Sequence, residues 1–114
     1  MTAASPLRIT SANLNGIRSA STKGFFDWLQ TDRPDVLCVQ ELKAQAADLT
    51  PAMRAPAGYH GFFHYAEKKG YSGVGIYSRT RPDRVTECMG HAAFDAEGRY
   101  IRADFGNLSV ISVY

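Results

Sequence analysis

Glu41 is the residue whose surroundings most call for chemistry. It follows the uninterrupted apolar run Val36-Leu37-Cys38-Val39 and then Gln40, so it ends a segment that reads as buried. An unpaired carboxylate in such a place is costly, and a hard divalent cation held by oxygen ligands would compensate it. A second polar group, Asn13, ends another strand-like segment and opens the loop Asn13-Leu14-Asn15-Gly16-Ile17-Arg18. Its amide can orient the Glu41 carboxylate or present its own oxygen to a metal. Ligand sites in sheets flanked by helices gather just beyond strand C-terminal ends, which is where both loops fall. The spacing alone equally suits a Glu41 that ends its strand in solvent and an Asn13 that merely permits a turn.

Other residue types with catalytic potential carry less. His60 and His64 are four apart, but in an aromatic β segment they share no helical face, and there is no H-E-x-x-H motif. His91 sits beside small residues in a loop. All three read as structural or surface groups. Cys38 and Cys88 form no CxxC pair, and Cys38 lies within an apolar run, as expected of a reduced core residue in a cytosolic protein.

The elements that must position Glu41 and Asn13 follow from periodicity. Residues 7–12 alternate apolar and polar and predict a strand, and residues 23–32 place Phe25, Phe26 and Leu29 at helical spacing before Asp32-Arg33-Pro34 ends the helix. Residues 36–40 predict a short strand covered on both faces. Thr50-Pro51 is an N-cap followed by proline at the first helical position, predicting a short helix to about residue 56. From Tyr59 the pattern turns to β, with strands expected at 61–65, 73–78, 84–89, 99–105 and 108–114. Gly106-Asn107 is expected as the tight turn between the last two. Strand–helix–strand followed by hairpins predicts an α/β (α+β) chain with a mixed, mostly antiparallel sheet and helices on its outer face.

A length of 114 residues with 45% hydrophobic content suits one small domain. Thirteen basic and eleven acidic residues leave a net charge of +2, so any basic surface must come from local clustering. No stretch approaches the roughly 18 apolar residues of a membrane span. The start, Met1-Thr2-Ala3-Ala4-Ser5-Pro6, lacks the basic and apolar regions of a signal peptide. The expectation is a soluble, cytoplasmic chain with no membrane partner. Residues 108–114 make a good strand that stops with no turn or polar tail. Natural domains usually cover such an edge, so a truncated chain is expected.

Five blocks give the chain a resemblance. Ile9-Thr10-Ser11-Ala12-Asn13-Leu14-Asn15-Gly16-Ile17-Arg18 resembles the opening strand and loop of the exonuclease III / abasic-endonuclease family. Asp35-Val36-Leu37-Cys38-Val39-Gln40-Glu41-Leu42-Lys43 resembles its metal strand, and Gly70-Tyr71-Ser72-Gly73-Val74-Gly75 its DNA-contacting hairpin. Glu97-Gly98-Arg99 and Val110-Ile111-Ser112-Val113-Tyr114 match the next two blocks. All five stand in order along nearly the whole chain.

The resemblance implies that residues 1–114 are the N-terminal portion of a single endonuclease/exonuclease/phosphatase domain, half of a four-layer α/β sandwich. It implies that Glu41 is a ligand for Mg²⁺ or Mn²⁺, with Asn13 in the metal-site network, and that the Tyr114 phenol approaches the scissile phosphate. Asn15 matches a second polar position of the same loop, often aspartate in relatives. Arg18, Lys43, Tyr71 and Arg99 would line a DNA groove. The implied activity is cleavage 5′ to abasic sites in double-stranded DNA and 3′→5′ removal of nucleotides. The enzyme would be a monomer when full length, and this chain alone would be inactive. Two other readings are a non-catalytic DNA-binding fragment and a related hydrolase acting on a lipid or sugar phosphate.

Overall fold

The computed structural model describes residues 6–114; residues 1–5, most of the start read above as lacking a leader, lie outside the described residues. The chain runs β1 (Ile9–Asn13), α1 (Ile17–Thr22), α2 (Phe25–Asp32) and β2 (Val36–Gln40), then a 3₁₀ turn (Ala46–Asp48) and α3 (Pro51–Arg54). It continues through β3 (His60–His64), β4 (Val74–Ser78), β5 (Arg84–Thr86), α4 (Ala92–Asp95), β6 (Tyr100–Phe105) and β7 (Leu108–Val113).

The strands form two sheets. In the first, ordered β1-β2-β4-β3, β1 and β2 are parallel and the other pairs antiparallel. In the second, ordered β5-β6-β7, both pairs are antiparallel. The period-two geometry of β2 joins the layers. Leu37 and Val39 face the helices with Ile17, Leu29 and Tyr77, while Val36 and Cys38 face the second sheet with Ile76, Ile101, Ala103 and Val110. Helices, first sheet and second sheet thus stack as three layers of an α/β sandwich, mixed in strand sense and mostly antiparallel. The hairpins did not simply extend the first sheet; β5, β6 and β7 fold over its other face.

Local chemistry explains the boundaries. Thr50 caps α3 by accepting from the Met53 N–H at 3.3 Å, with Pro51 in the first turn, and the helix stops at Arg54, short of the expected residue 56. The segment expected as one helix over 23–32 begins at Phe25, and an extra helix, α1, precedes it across Gly24. Ile17 is fully buried and Ala20 packs on the same core, so this short helix is held by the face it buries. The strand expected over 84–89 ends at Thr86, and α4 falls where a loop was expected. No helix among the described residues is long and apolar enough to cross a membrane.

Candidate active site

Parallel pairing of β1 with β2 sets Asn13 opposite Gln40, and the ladder continues past both strand ends. Leu14 N–H donates to the Gln40 carbonyl (2.9 Å), Gly16 to Glu41 (2.8 Å) and Ile17 to Leu42 (2.9 Å). Across the other side of this loop, Leu42 N–H donates to Gly73 (3.1 Å) and Lys43 N–H to Ser72 (2.8 Å). The Gly73 N–H and the Ser72 hydroxyl both donate to the Gly98 carbonyl, at 3.1 and 3.2 Å. Four loops are therefore stitched side by side at one end of the sandwich.

That row is strained. Among the described residues, five non-glycine residues have positive φ, and four of them lie here: Asn15 (48°), Glu41 (55°), Lys43 (50°) and Ser72 (50°). Each costs on the order of 1–3 kcal/mol, and such residues persist where the surroundings over-determine them, often at functional sites. The alternation has a clear effect on side chains. Leu42 is fully buried, while the flanking Glu41 and Lys43 side chains are 20% and 40% exposed and share one side.

The polar groups form a short chain. Lys43 Nζ donates to Asn15 Oδ1 at 2.6 Å and stands 3.7 Å from Glu41 Oε1. Asn13 Oδ1 accepts from the Asn15 N–H at 3.0 Å, so this amide oxygen is turned into its own loop. Arg18 donates to the Lys43 carbonyl at 3.0 Å and lies 3.9 Å from Asp48. The Glu41 carboxylate, for which the sequence called for a compensating cation, has a lysine beside it, and spacing alone does not reveal this because Glu41 and Lys43 meet through their left-handed backbone. Behind them, Gln40 Nε2 donates to Ser11 Oγ and Ser112 Oγ, each at 3.1 Å, tying β1, β2 and β7 together.

Arg99 organises a second group on the same end. Its guanidinium donates to Glu97 Oε1 (2.7 Å), the Tyr71 hydroxyl (2.6 Å) and the Tyr114 carbonyl (3.1 Å). It also lies 5.3 Å from the Tyr114 ring centre and 5.6 Å from that of Tyr71. The Glu97 hydrogen bond holds this guanidinium protonated even more firmly than usual. The sequence reading set Tyr71 and Arg99 in a DNA groove and Tyr114 at the phosphate, and missed Glu97, which holds Arg99, and Gln40, which ties β1 and β2 to β7. Glu97 stands two residues before Arg99 in the quoted block, the one local signal for it.

The donor set can be judged for a metal. Among the described residues no three His, Cys, Asp or Glu side chains gather. Asn13 Oδ1 is engaged by the Asn15 N–H and Asn15 Oδ1 by Lys43, so the Glu41 carboxylate is the one charged donor here, with the two amides beside it. That fits Mg²⁺ or a similar ion held by one carboxylate, with water and a substrate phosphate completing its shell. The histidines stand apart: His64 Nδ1 lies 2.8 Å from the Tyr100 carbonyl, and His91 stacks on Phe94. Beside Asn13 opens a groove of about 320 Å³ whose walls include Lys23, Phe25 and Trp28. Lys23, Arg18, Lys43 and Arg99 stand at this end, the last three beside the carboxylates of Asp48, Glu41 and Glu97.

Residues 10–114 match the family described as the Endonuclease/Exonuclease/phosphatase family. The chain is similar to an exodeoxyribonuclease of Bacillus subtilis, 36% identical over 95% of this chain and 42% of that protein. It is also similar to a DNA-(apurinic or apyrimidinic site) endonuclease of Dictyostelium discoideum, 32% identical over 95% of this chain and 30% of the relative. Among solved structures, an AP endonuclease from Archaeoglobus fulgidus superposes with a TM-score of 0.80 at 34% identity, covering 96% of this chain and 41% of that one. The chain therefore spans well under half the length of these relatives.

Proposed function

This chain belongs to the Endonuclease/Exonuclease/phosphatase family, and we propose that it serves a metal-dependent DNA-repair nuclease. That enzyme cuts double-stranded DNA at abasic sites and removes nucleotides from 3′ ends, and residues 1–114 form an N-terminal portion of its domain. The observation that carries the reading is the strained loop row that brings Asn13, Asn15, Glu41, Lys43 and Arg18 together at one end. The relatives' names, an exodeoxyribonuclease and an abasic-site endonuclease, support the substrate class.

Glu41 would hold Mg²⁺ or Mn²⁺, with Asn13 and Asn15 orienting the site. Such an ion supplies neutralisation of the charge that makes a phosphodiester resist attack. Arg18 and Lys43 grip backbone phosphates without reading bases, which suits an enzyme seeking a lesion rather than a sequence. An abasic sugar is cheaper to extrude because one base's stacking is already lost. Tyr114, steadied by Arg99, offers its phenol toward the phosphate, and Tyr71 packs against the strand.

In a domain completed by a C-terminal portion, Glu41→Gln is expected to lower abasic-site nicking by several orders of magnitude and to raise the metal concentration required. Near-normal Mg²⁺-dependent nicking would overturn the assignment. Phosphate release from soluble lipid or sugar phosphoesters, with abasic duplex untouched, would move the substrate away from DNA. The 114-residue chain alone is expected to show no sustained nicking, since attack on the phosphate also needs a positioned proton acceptor, a role that none of these site residues fills. Multiple-turnover cleavage by that chain would refute this part.

A further inference from the structure

Lys43 occupies the place where a cation would be wanted. Its ammonium bridges the amide oxygen of Asn15 at 2.6 Å and the Glu41 carboxylate at 3.7 Å. This position is not an accident of a loose surface chain. The left-handed backbone of both Glu41 and Lys43 turns their side chains to one side, and Leu42 between them anchors the loop in the core. Asn15, also left-handed, presents its amide oxygen to the same ammonium. Being neutral, Asn15 holds the lysine by a hydrogen bond without adding charge of its own.

We propose that the Lys43 ammonium is the resident counter-cation of Glu41 and is displaced outward, toward phosphate, when a divalent ion binds. The inference rests on Glu41 being the metal ligand, as proposed above. Its physical basis is competition: two cations cannot share one carboxylate at such range without strong repulsion. A lysine suits the role because its charge is compact and its stem is flexible, so it can leave without disturbing the loop. Displacement also couples two binding events. A phosphate that draws Lys43 away favours the metal, and by reciprocity the metal favours phosphate.

The test is Mn²⁺ binding by the domain completed by a C-terminal portion, read by the electron paramagnetic resonance of free Mn²⁺, in the wild type, Glu41→Gln and Lys43→Met. Lys43→Met keeps the side-chain length and removes the charge, and is expected to bind Mn²⁺ about fivefold tighter at low salt. Unchanged or weaker binding by Lys43→Met, with binding lost in Glu41→Gln, would overturn this inference alone. Absence of binding by the wild type, or full retention in Glu41→Gln, would overturn the metal assignment beneath it as well. A second readout needs no variant: acetylation of Lys43, followed by mass spectrometry, should rise severalfold when Mg²⁺ is added, while Lys69 stays constant. An unchanged or lower rate at Lys43 would count against displacement.

Discussion

Arg18 and Arg99 both lie on the rim of the site, but their guanidinium groups are held differently. Arg18 is more than half exposed, donates to one backbone carbonyl and lies at 3.9 Å from the partly exposed Asp48 carboxylate. Arg99 is 26% exposed, paired with Glu97 and packed against two tyrosine rings. Arg18→Ala should therefore flatten the log–log salt dependence of duplex binding by about one unit, as expected if it neutralises one phosphate. Arg99→Ala should weaken binding by loosening Tyr71 and Tyr114, with less change in slope, and Arg99→Lys should not restore it because lysine lacks the planar fork. Equal slopes for the wild type and Arg18→Ala would return Arg18 to the solvated surface. The two cysteines separate in the same way. Burial pushes the Cys38 thiol up to about 11, whereas Cys88 is exposed. Since the thiolate is the nucleophile, iodoacetamide near neutral pH should label Cys88 well before Cys38, as peptide mapping would show. Its raised value also means that Cys38 favours the folded state below about pH 9, an advantage lost as pH climbs through about 11.

At the scale of elements, the loop row depends on close backbone approach at Gly98. Its φ is +59°, and a Cβ there would stand 2.5 Å from the Ala66 nitrogen and 2.7 Å from the Tyr65 carbonyl carbon. Those atoms are backbone and cannot swing aside. Gly98→Ala should destabilise the fold by on the order of 2–3 kcal/mol, from left-handed strain and overpacking together. Gly106, at the hairpin between β6 and β7, has a similar φ of +60° but open space around it. Gly106→Asn should cost about half a kcal/mol or less, because asparagine tolerates the left-handed region in turns. Urea midpoints of the two variants check the contrast; similar losses would show that φ alone, not crowding, sets the cost. The position of β2 was readable from composition because a strand buried on both faces must be apolar throughout. The short helices α1 and α4 were not, since so few turns have little propensity of their own and form through tertiary packing.

Over the whole molecule, apolar surface remains open where sheets end. β1 and β7 are terminal strands of their sheets, and Ile9, Ile111 and Val113 are 47%, 47% and 60% exposed. Unpaired strand edges bearing apolar side chains template association. The 114-residue chain should therefore self-associate with rising concentration in sedimentation velocity, and Ile9→Lys with Val113→Lys should suppress it. A monomer at every concentration, in the wild type, would refute the prediction.

Residue types in order along the chain were enough to mark β2, the Thr50-Pro51 cap, the Gly106-Asn107 turn and the two loops that carry Asn13 and Glu41. Each of these is a local pattern, set by burial period or by the backbone angles one residue prefers. The same order of residues also placed the chain in its family, since five blocks held their register. It did not reveal the fold of the last three strands into a second sheet, the lysine beside Glu41, or the grip of Arg99 on Tyr71 and Tyr114. Glu41 and Lys43 are only two residues apart but meet through left-handed backbone that their residue types do not announce, while Asn15 reaches Lys43, and Tyr71 reaches Arg99, across 28 positions. Periodicity reports which side of an element is buried but not what it is buried against, so only packing the layers brings these partners within hydrogen-bonding distance.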